Sequence, residues 1–351
     1  MRLKAVPENP IEWLLDRLGV LPYPLADTML AMLLSRTVVT GSGVGVFEAL
    51  ADGPRTPAEV AARCGTDPGA TAKLLFALAG ARYLREQDGR YGLTAMARRW
   101  MLPSAPHSLH DAILHRKLDT ALMEHAETYL RTGIPTDFHT KLTPEEWAVY
   151  QRGQRAHALW SAAEVARRVP VPRGARTLLD IGGAHGHYAA ALCRRHPGLH
   201  ATILDLPDAV AQSREIAAEE GLADRLAYRS GDALTDDLGE AAWDVVFLGN
   251  LVHHFDDAAN RALQARIARA LAPGGTVAVL EIMRSSSAER AGQVGALTDF
   301  FFAVTSAGGT WSYEEIAAWQ EAAGLAPWRP IRLRRVPGYG MQAARKRPRT
   351  V

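Results

Sequence analysis

The chain predicts an α/β protein: a doubly wound parallel sheet with a C-terminal antiparallel hairpin, preceded by a smaller, mostly α-helical unit. Three observations carry this expectation. An apolar strand ending in an acid runs into a glycine-rich turn at Leu178-Leu179-Asp180-Ile181-Gly182-Gly183-Ala184-His185-Gly186, and in an open α/β sheet such a turn lets a ligand approach the backbone at the strand's carboxyl end. Further apolar runs follow, alternating with stretches of helical spacing as βα units do. Residues 56–93, by contrast, read as two short helices and a hairpin.

The strands justify the sheet in order. Residues 201–207 are a second apolar run ending in an acid, and its Asp205 stands 23 positions past Gly182. That is close to the ~20 at which a nucleotide site places the carboxylate that accepts from ribose hydroxyls. Residues 226–233 form a short strand closed by Gly231-Asp232, residues 243–250 a fourth, and residues 276–281 a fifth after the Pro273-Gly274-Gly275 turn. Helical spacing fills residues 189–195 and 259–271 between them. Strands this apolar are buried on both faces. Residues 328–334 and 339–344 flank Pro337-Gly338 and read as a terminal hairpin.

Upstream, Thr56-Pro57-Ala58-Glu59 opens a helix with Thr as N-cap and Glu three residues on. A turn at Gly65-Thr66-Asp67-Pro68, a helix over 69–79 and a hairpin over 83–93 with Asp88-Gly89 at its tip complete a winged helix. The second helix carries only Lys73 as a cation and is apolar nearly all round, which predicts burial. Residues 11–18 and 24–50 read as helices too apolar for a monomer's surface. An interface between two copies would cover them; packing within their own unit would too. Residues 104–165 are mostly helical with breaks at Gly133-Ile134-Pro135 and Thr143-Pro144-Glu145-Glu146, and are expected to form a linker that partly covers the active site. The expected division is 1–103, 104–165 and 166–351.

Composition narrows the function classes. A hydrophobic fraction of 48% and a charged fraction of 22% are ordinary for a globular protein, and a net charge of +2 gives no reason for a polyanionic partner. Cys64 and Cys193 alone make no disulfide framework or metal cluster. Glu8, Pro10 and Glu12 stand where a signal peptide is apolar, and Asp27 and Arg36 interrupt the most apolar stretch, so a cytoplasmic location with no membrane span is expected. Only five of the 40 basic residues are Lys, a bias associated with GC-rich bacterial genomes.

The dinucleotide fingerprint GxGxxG is broken here by Ala184 and His185. The run instead resembles the DxGGGxG loop of class I S-adenosylmethionine-dependent methyltransferases, with Ala184 in place of the middle glycine. The resemblance covers roughly residues 145–345. It extends upstream to the small-molecule O-methyltransferases similar to the plant caffeate and hydroxyindole enzymes, whose winged helix serves dimerisation. It implies a Rossmann-like methyltransferase sheet and S-adenosylmethionine as cofactor. Gly182, Gly183 and Gly186 would admit the cofactor's amino acid moiety and Asp180 would engage its ammonium group. Asp205 would hold the ribose and Asp232 would read the adenine amino group, with Leu206, Ala233 and Asn250 completing the set.

Strand four runs into Leu251-Val252-His253-His254-Phe255-Asp256-Asp257, which resembles the family's LHDWxD segment and implies His253 as general base. Transfer from a sulfonium to a hydroxyl is an in-line displacement, helped by a neutral imidazole that takes the proton. The resemblance makes Glu281 the carboxylate that orients this imidazole. A second reading of the run is a helix start capped by Asp256 or Asp257, and of Glu281 an acid held by backbone donors at a strand end. The family's second orienting acid falls on Trp311, after Gly308-Gly309. Asp299, Phe300, Phe301, Phe302 and Val304 stand where the family lines its substrate pocket, with Trp311 close behind; this implies a flat apolar acceptor, while four large apolar residues on a helix also read as core. His185, His187, His253 and His254 do not by themselves make a metal geometry, and no metal is expected.

The sequence therefore predicts a homodimeric methyltransferase acting on a hydroxyl of an apolar or aromatic small molecule in bacterial specialised metabolism. Carbon or nitrogen methylation, or a non-methylating reaction on the same scaffold, is the alternative within the enzyme class. A winged-helix DNA-binding regulator is the alternative outside it. For that alternative the only basic cluster is Arg345-Lys346-Arg347-Pro348-Arg349, which reads equally as a solvated tail; no nucleic acid partner is expected.

Overall fold

The computed structural model describes residues 6–136, 139–218, 221, 224–336 and 338–348. The chain divides into two compact units between Lys117 and Leu118. That boundary falls inside the segment expected to be a linker: residues 104–117 go with the first unit and 118–165 with the second.

In the amino-terminal unit the capping signals fold as their chemistry directs. Thr56 Oγ1 accepts from the Glu59 amide at 3.3 Å while Glu59 Oε2 accepts from the Thr56 amide at 2.7 Å, starting the helix Pro57–Cys64. Asp67 caps the helix Pro68–Gly80 through the Ala70 amide at 2.8 Å. Strands β1 (Leu84–Gln87) and β2 (Arg90–Leu93) pair antiparallel across Asp88 and Gly89, at φ 52° and 70°, the left-handed pair that a two-residue hairpin turn requires. Phe47, Leu50, Val60, Leu75, Leu78 and Leu84 fill the core. The helix Pro68–Gly80 is not buried all round: Leu75 and Leu78 face inward, but Phe76 is 73% exposed, because one small core covers only one face. The helix Pro10–Arg17 buries nothing. Residues 24–50 are not one helix; a π turn at Ala26–Leu30 leads into Ala31–Gly43, and Gly45, at φ 81°, ends that run before Val46–Ala49. Trp13 (53% exposed) and Leu30 (54%) typify an apolar surface that also includes Ile11, Leu14, Met32 and Leu33.

The carboxyl-terminal unit is built on β3 (Thr177–Ile181), β4 (His200–Asp205), β5 (Leu226–Ser230), β6 (Trp243–Gly249), β7 (Leu271–Ile282), β8 (Ala326–Pro327), β9 (Ile331–Arg332) and β10 (Tyr339–Arg345). The order is β5-β4-β3-β6-β7-β10-β8, with β9 also on β10. The first five strands are parallel; β10 runs antiparallel to β7 with Met341 opposite Leu280. Strand order reverses between β3 and β6, where a doubly wound sheet opens its crevice. β7 starts earlier than the sequence suggests, so Pro273-Gly274-Gly275 lies inside it, at the register shift with β6. A Cβ on Gly275 would meet the Ala272, Asp244 and Trp243 carbonyl oxygens at 2.9–3.0 Å. The expected terminal hairpin is shorter on its first side, which splits into β8 and β9. Pro337 at its tip and Arg349 in the basic tail lie outside the described residues.

Alternation along the strands sorts their side chains into two cores. Leu178, Ile203, Val245, Phe247 and Leu280 pack on one face, and Leu179, Leu204, Val246, Leu248 and Val279 on the other. Each such fully buried aliphatic contributes roughly 1.5–3 kcal/mol. The helix Pro144–Arg168 packs on the first face against His187–Arg195 and Pro207–Ala218. Its buried Glu164 accepts from the Arg334 and Arg335 amides at 2.9 and 3.0 Å and pairs with Arg168, tying the chain near β9 to the helix. Burial alone would raise the pKa of Glu164, but those donors outweigh it and hold the carboxyl below its ordinary range. No helix among the described residues is long and apolar enough to cross a membrane.

Candidate functional site

A cleft of about 450 Å³ opens over the carboxyl ends of β3, β4 and β6. The turn after β3 forms its floor. Gly182 holds φ 65°, and a Cβ there would fall 2.7 Å from Leu251; one on Gly183 would fall 2.6 Å from the Asp180 carboxyl carbon. Neither position admits a side chain. Ala184 takes the left-handed conformation too, at φ 46°, and donates its amide to Asp205 Oδ2 at 2.8 Å; Asn250 after β6 is also left-handed, at φ 54°, and donates its amide to the Leu280 carbonyl at 2.9 Å. Asp205 Oδ1 accepts from the Leu206 amide, and Asp232 Oδ1 from the Leu234 amide, both at 2.8 Å.

Asp180 stands out electrostatically. It is buried, and neither of its oxygens makes a well-formed hydrogen bond. Burial first, and then the Asp205 charge, push its pKa well above the usual carboxylate range, opposed only weakly by the Ala189 amide. Burial pushes Asp205 up to about 6 despite its two amide donors. Two neighbouring carboxylates, one whose lone pairs meet no well-placed donor, call for a cation. The ammonium group of S-adenosylmethionine fits that demand, as the glycine floor fits its close approach.

Beyond β6, the short turn Val252–His254 presents two imidazoles. His253 Nδ1 lies 3.0 and 3.2 Å from the two oxygens of Glu281, and both residues are buried. His254 lines the cleft, with Nδ1 3.0 Å from Ser306 Oγ and its ring edge-on to His139 at 4.6 Å. Burial, then His253 and His139, hold its pKa well below the imidazole range. His253 does not itself line the cleft; its ring is stacked on Phe302 at 4.0 Å and 5°. Asp256 caps the helix Asp257–Ala270 through the Ala259 amide at 2.8 Å, so the segment starts a helix as well as carrying the imidazoles.

The structure brings Asp180, Gly182, Gly183, Asp205, Leu206, Asp232, Ala233 and Asn250 together around the cleft. Gly186 is not in its lining; it starts the helix His187–Arg195, and a Cβ there would meet the Tyr228 hydroxyl at 2.5 Å, so its part is packing. The expected substrate residues Asp299, Phe300, Phe302 and Trp311 do not line the cleft either. Residues two apart on a helix point to opposite sides: Phe302 covers His253, while Phe300 is 36% exposed. Asp299 accepts from the Thr310 amide at 2.9 Å and from its hydroxyl. Trp311 is core, 4.9 Å from Trp319, with its indole donating to the Val252 carbonyl at 3.0 Å. The walls come instead from residues that sequence reading passed over: Trp147, Tyr150, Gln151 and Gln154 on the helix Pro144–Arg168, and His139 before it. Their signal was the i, i+3, i+4, i+7 spacing of one helical face. No cluster of three or more His, Cys, Asp or Glu among the described residues could hold a metal.

Known proteins share both the fold and these segments. Residues 107–326 match the O-methyltransferase domain family, and residues 26–103 its dimerisation domain, which supports a homodimer. A 3-hydroxy-5-methyl-1-naphthoate 3-O-methyltransferase of Streptomyces sahachiroi is 29% identical over 324 residues, covering 89% of this chain and 91% of that protein. An N,N-dimethyltransferase of Streptomyces rimosus, OxyT, is 31% identical over 251 residues, covering 68% and 72%. The solved structure of human N-acetylserotonin methyltransferase in complex with S-adenosylmethionine superposes with a TM-score of 0.82 at 19% identity, covering 98% of this chain and 100% of that one. The winged-helix unit, the switch-point cleft and the family match together place the chain in the O-methyltransferase family of S-adenosylmethionine-dependent enzymes.

Proposed function

We propose that the acceptor is a hydroxyl of an apolar or aromatic small molecule and that His253 takes its proton. The observation that carries this reading is the buried His253–Glu281 pair at 3.0 Å beside the cleft. A carboxylate on Nδ1 fixes the neutral tautomer with its proton there, leaves the lone pair on Nε2, and stabilises the imidazolium that forms. Asp180 would meet the cofactor's ammonium group, Asp205 its ribose hydroxyls and Asp232 its adenine amino group. When bound, S-adenosylmethionine supplies an electrophilic methyl group on a sulfonium. The chain's own task is then to position the acceptor and accept one proton. Trp147, Tyr150 and His139 along the cleft support a flat acceptor, and the naphthoate relative supports an aromatic one in bacterial specialised metabolism.

The OxyT relative favours a second reading, an amine acceptor served by the same base. A DNA-regulator reading is disfavoured, because the second helix of the winged unit offers Lys73 alone among cations and an exposed Phe76. Incubation with methyl-labelled cofactor and matched naphthols and naphthylamines, followed by product mass and NMR assignment, tests the proposal. Label on oxygen is expected. Label only on nitrogen would overturn the hydroxyl, and no transfer to either by a protein that binds the cofactor would overturn the acceptor class.

A further inference from the structure

Two polar demands in the cleft wall are left over by the chemistry above. The helix Pro144–Arg168 sets Trp147 and Gln151 one turn apart on one face, and both line the cleft. The indole Nε1–H of Trp147 and the amide Oε1 of Gln151 are buried with no hydrogen-bond partner among the described residues. Their neighbours differ: Gln154 bonds the Tyr150 hydroxyl, and His254 pairs with Ser306. A buried donor and a buried acceptor left open carry their full desolvation cost, and a ligand that supplies the complement removes it. Charge adds a second constraint. Among the described residues lining the cleft there is no Lys or Arg, whereas Asp180, Asp205 and Asp232 are carboxylates. The cofactor's own carboxylate is balanced by its ammonium group, but an acceptor bearing a carboxylate or phosphate would lose its hydration there and gain no counter-charge from the protein.

We propose that the cleft selects an uncharged aromatic acceptor carrying a hydrogen-bond acceptor and donor side by side, as in a carboxamide or a hydroxy-ketone. Its carbonyl takes the Trp147 N–H, its N–H or O–H donates to Gln151 Oε1, and the corresponding carboxylate is rejected. This rests on the reading that the acceptor enters the same cleft as the cofactor. Sites with buried polar groups discriminate strongly against analogues that leave those groups unpaired.

The test is calorimetric titration of the full chain, saturated with S-adenosylhomocysteine, with 2-naphthamide, 2-naphthoate and 2-methylnaphthalene. The amide is expected to bind at least ~10-fold more tightly than either other probe, the worth of one or two hydrogen bonds. Gln151→Leu should shrink its advantage over the hydrocarbon to under ~3-fold, and Trp147→Phe, which keeps the ring, should shrink it in part. Without ligand, Gln151→Leu should melt at or above the parent, a gain that a structural hydrogen bond at this position would not give. The proposal is overturned if the naphthoate binds as tightly as the amide, if the amide is no better than the hydrocarbon, if none of the three binds, or if the preference survives Gln151→Leu. Should a variant fail to fold, the ranking of the three probes on the parent decides alone. Binding of S-adenosylhomocysteine is measured first: its absence would sink the cofactor assignment, whereas normal binding with a carboxylate preference would sink only this inference.

Discussion

In the amino-terminal unit a group of apolar side chains is left without company: Ile11, Trp13, Leu14, Leu30 and Leu33 lie at its surface, while the caps of the helices Pro57–Cys64 and Pro68–Gly80 are satisfied. In the carboxyl-terminal unit the aliphatic side chains of the parallel strands are consumed in two cores, and what the cleft wall leaves over is polar: both oxygens of Asp180, Oε1 of Gln151 and Nε1 of Trp147. Each unit's deficit describes its missing partner. Exposed apolar area asks for another protein surface; orphaned buried polar atoms ask for a ligand. Beside the cleft, the His253–Glu281 pair is the exception, polar, buried and mutually satisfied, which marks it as machinery that needs no partner to be formed.

That contrast can be broken or sharpened by experiment. The largest effect belongs to the exception: His253→Ala should lower single-turnover methyl transfer by ~10² to 10⁴ with cofactor affinity nearly unchanged, and Glu281→Gln should fall between that variant and the parent. Full activity in His253→Ala would mean that the satisfied pair is structural. For the apolar deficit, Leu14→Glu together with Leu30→Glu should weaken self-association by about 100-fold, because a charge would be buried in a contact that excludes water. Sedimentation of the unaltered chain as a monomer at micromolar concentration would end that half of the comparison. At the cofactor end of the cleft, Asp205→Ala should weaken cofactor binding by ~1.5 to 3 kcal/mol, the worth of a charge-assisted hydrogen bond; calorimetry showing parental affinity would remove Asp205 from the site.

The smallest effect is a matter of pH and has a defined sign. Asp205 has its pKa raised to about 6 in the fold, and Asp180 is raised as well. The folded chain therefore holds more protons than the unfolded chain between the ordinary aspartate value near ~4 and about 6. Without ligand, stability should fall as pH rises through that window, while cofactor affinity should rise through it as Asp205 ionises. Melting curves from pH 4 to 8 with and without cofactor check both slopes, and Asp180→Asn should flatten the first.

The sheet was legible because its strands advertise burial on both faces, and the cofactor loop because glycine and acid at that spacing serve few other ends. The capping box at Thr56 marked one helix start to the residue, whereas Thr143-Pro144-Glu145-Glu146, read as a break, is the capping box that opens the helix Pro144–Arg168. The acceptor end was not legible. Phe300 and Phe302 look alike in sequence, yet one meets solvent and the other an imidazole, since a helix turns successive side chains away from one another. Trp311 stood one bridge from β7, beside Met283, and its indole found a backbone carbonyl; only tertiary packing reveals that. Gln151 and Glu164 are buried on the helix Pro144–Arg168 although they are polar, because the elements that bury them come from far along the chain.

Ala184 has a consequence of another kind. A left-handed alanine costs roughly 1 kcal/mol that glycine would not, yet glycine would multiply the conformations open to the loop. The methyl group thus preorganises the loop: the peptide N–H already rests on Asp205, and the ordering entropy is lost during folding, not at the moment of association. Ala184→Gly should leave the melting temperature almost where it was. Its mark should instead be kinetic, as faster amide exchange across residues 182–186 and quicker departure of the cofactor.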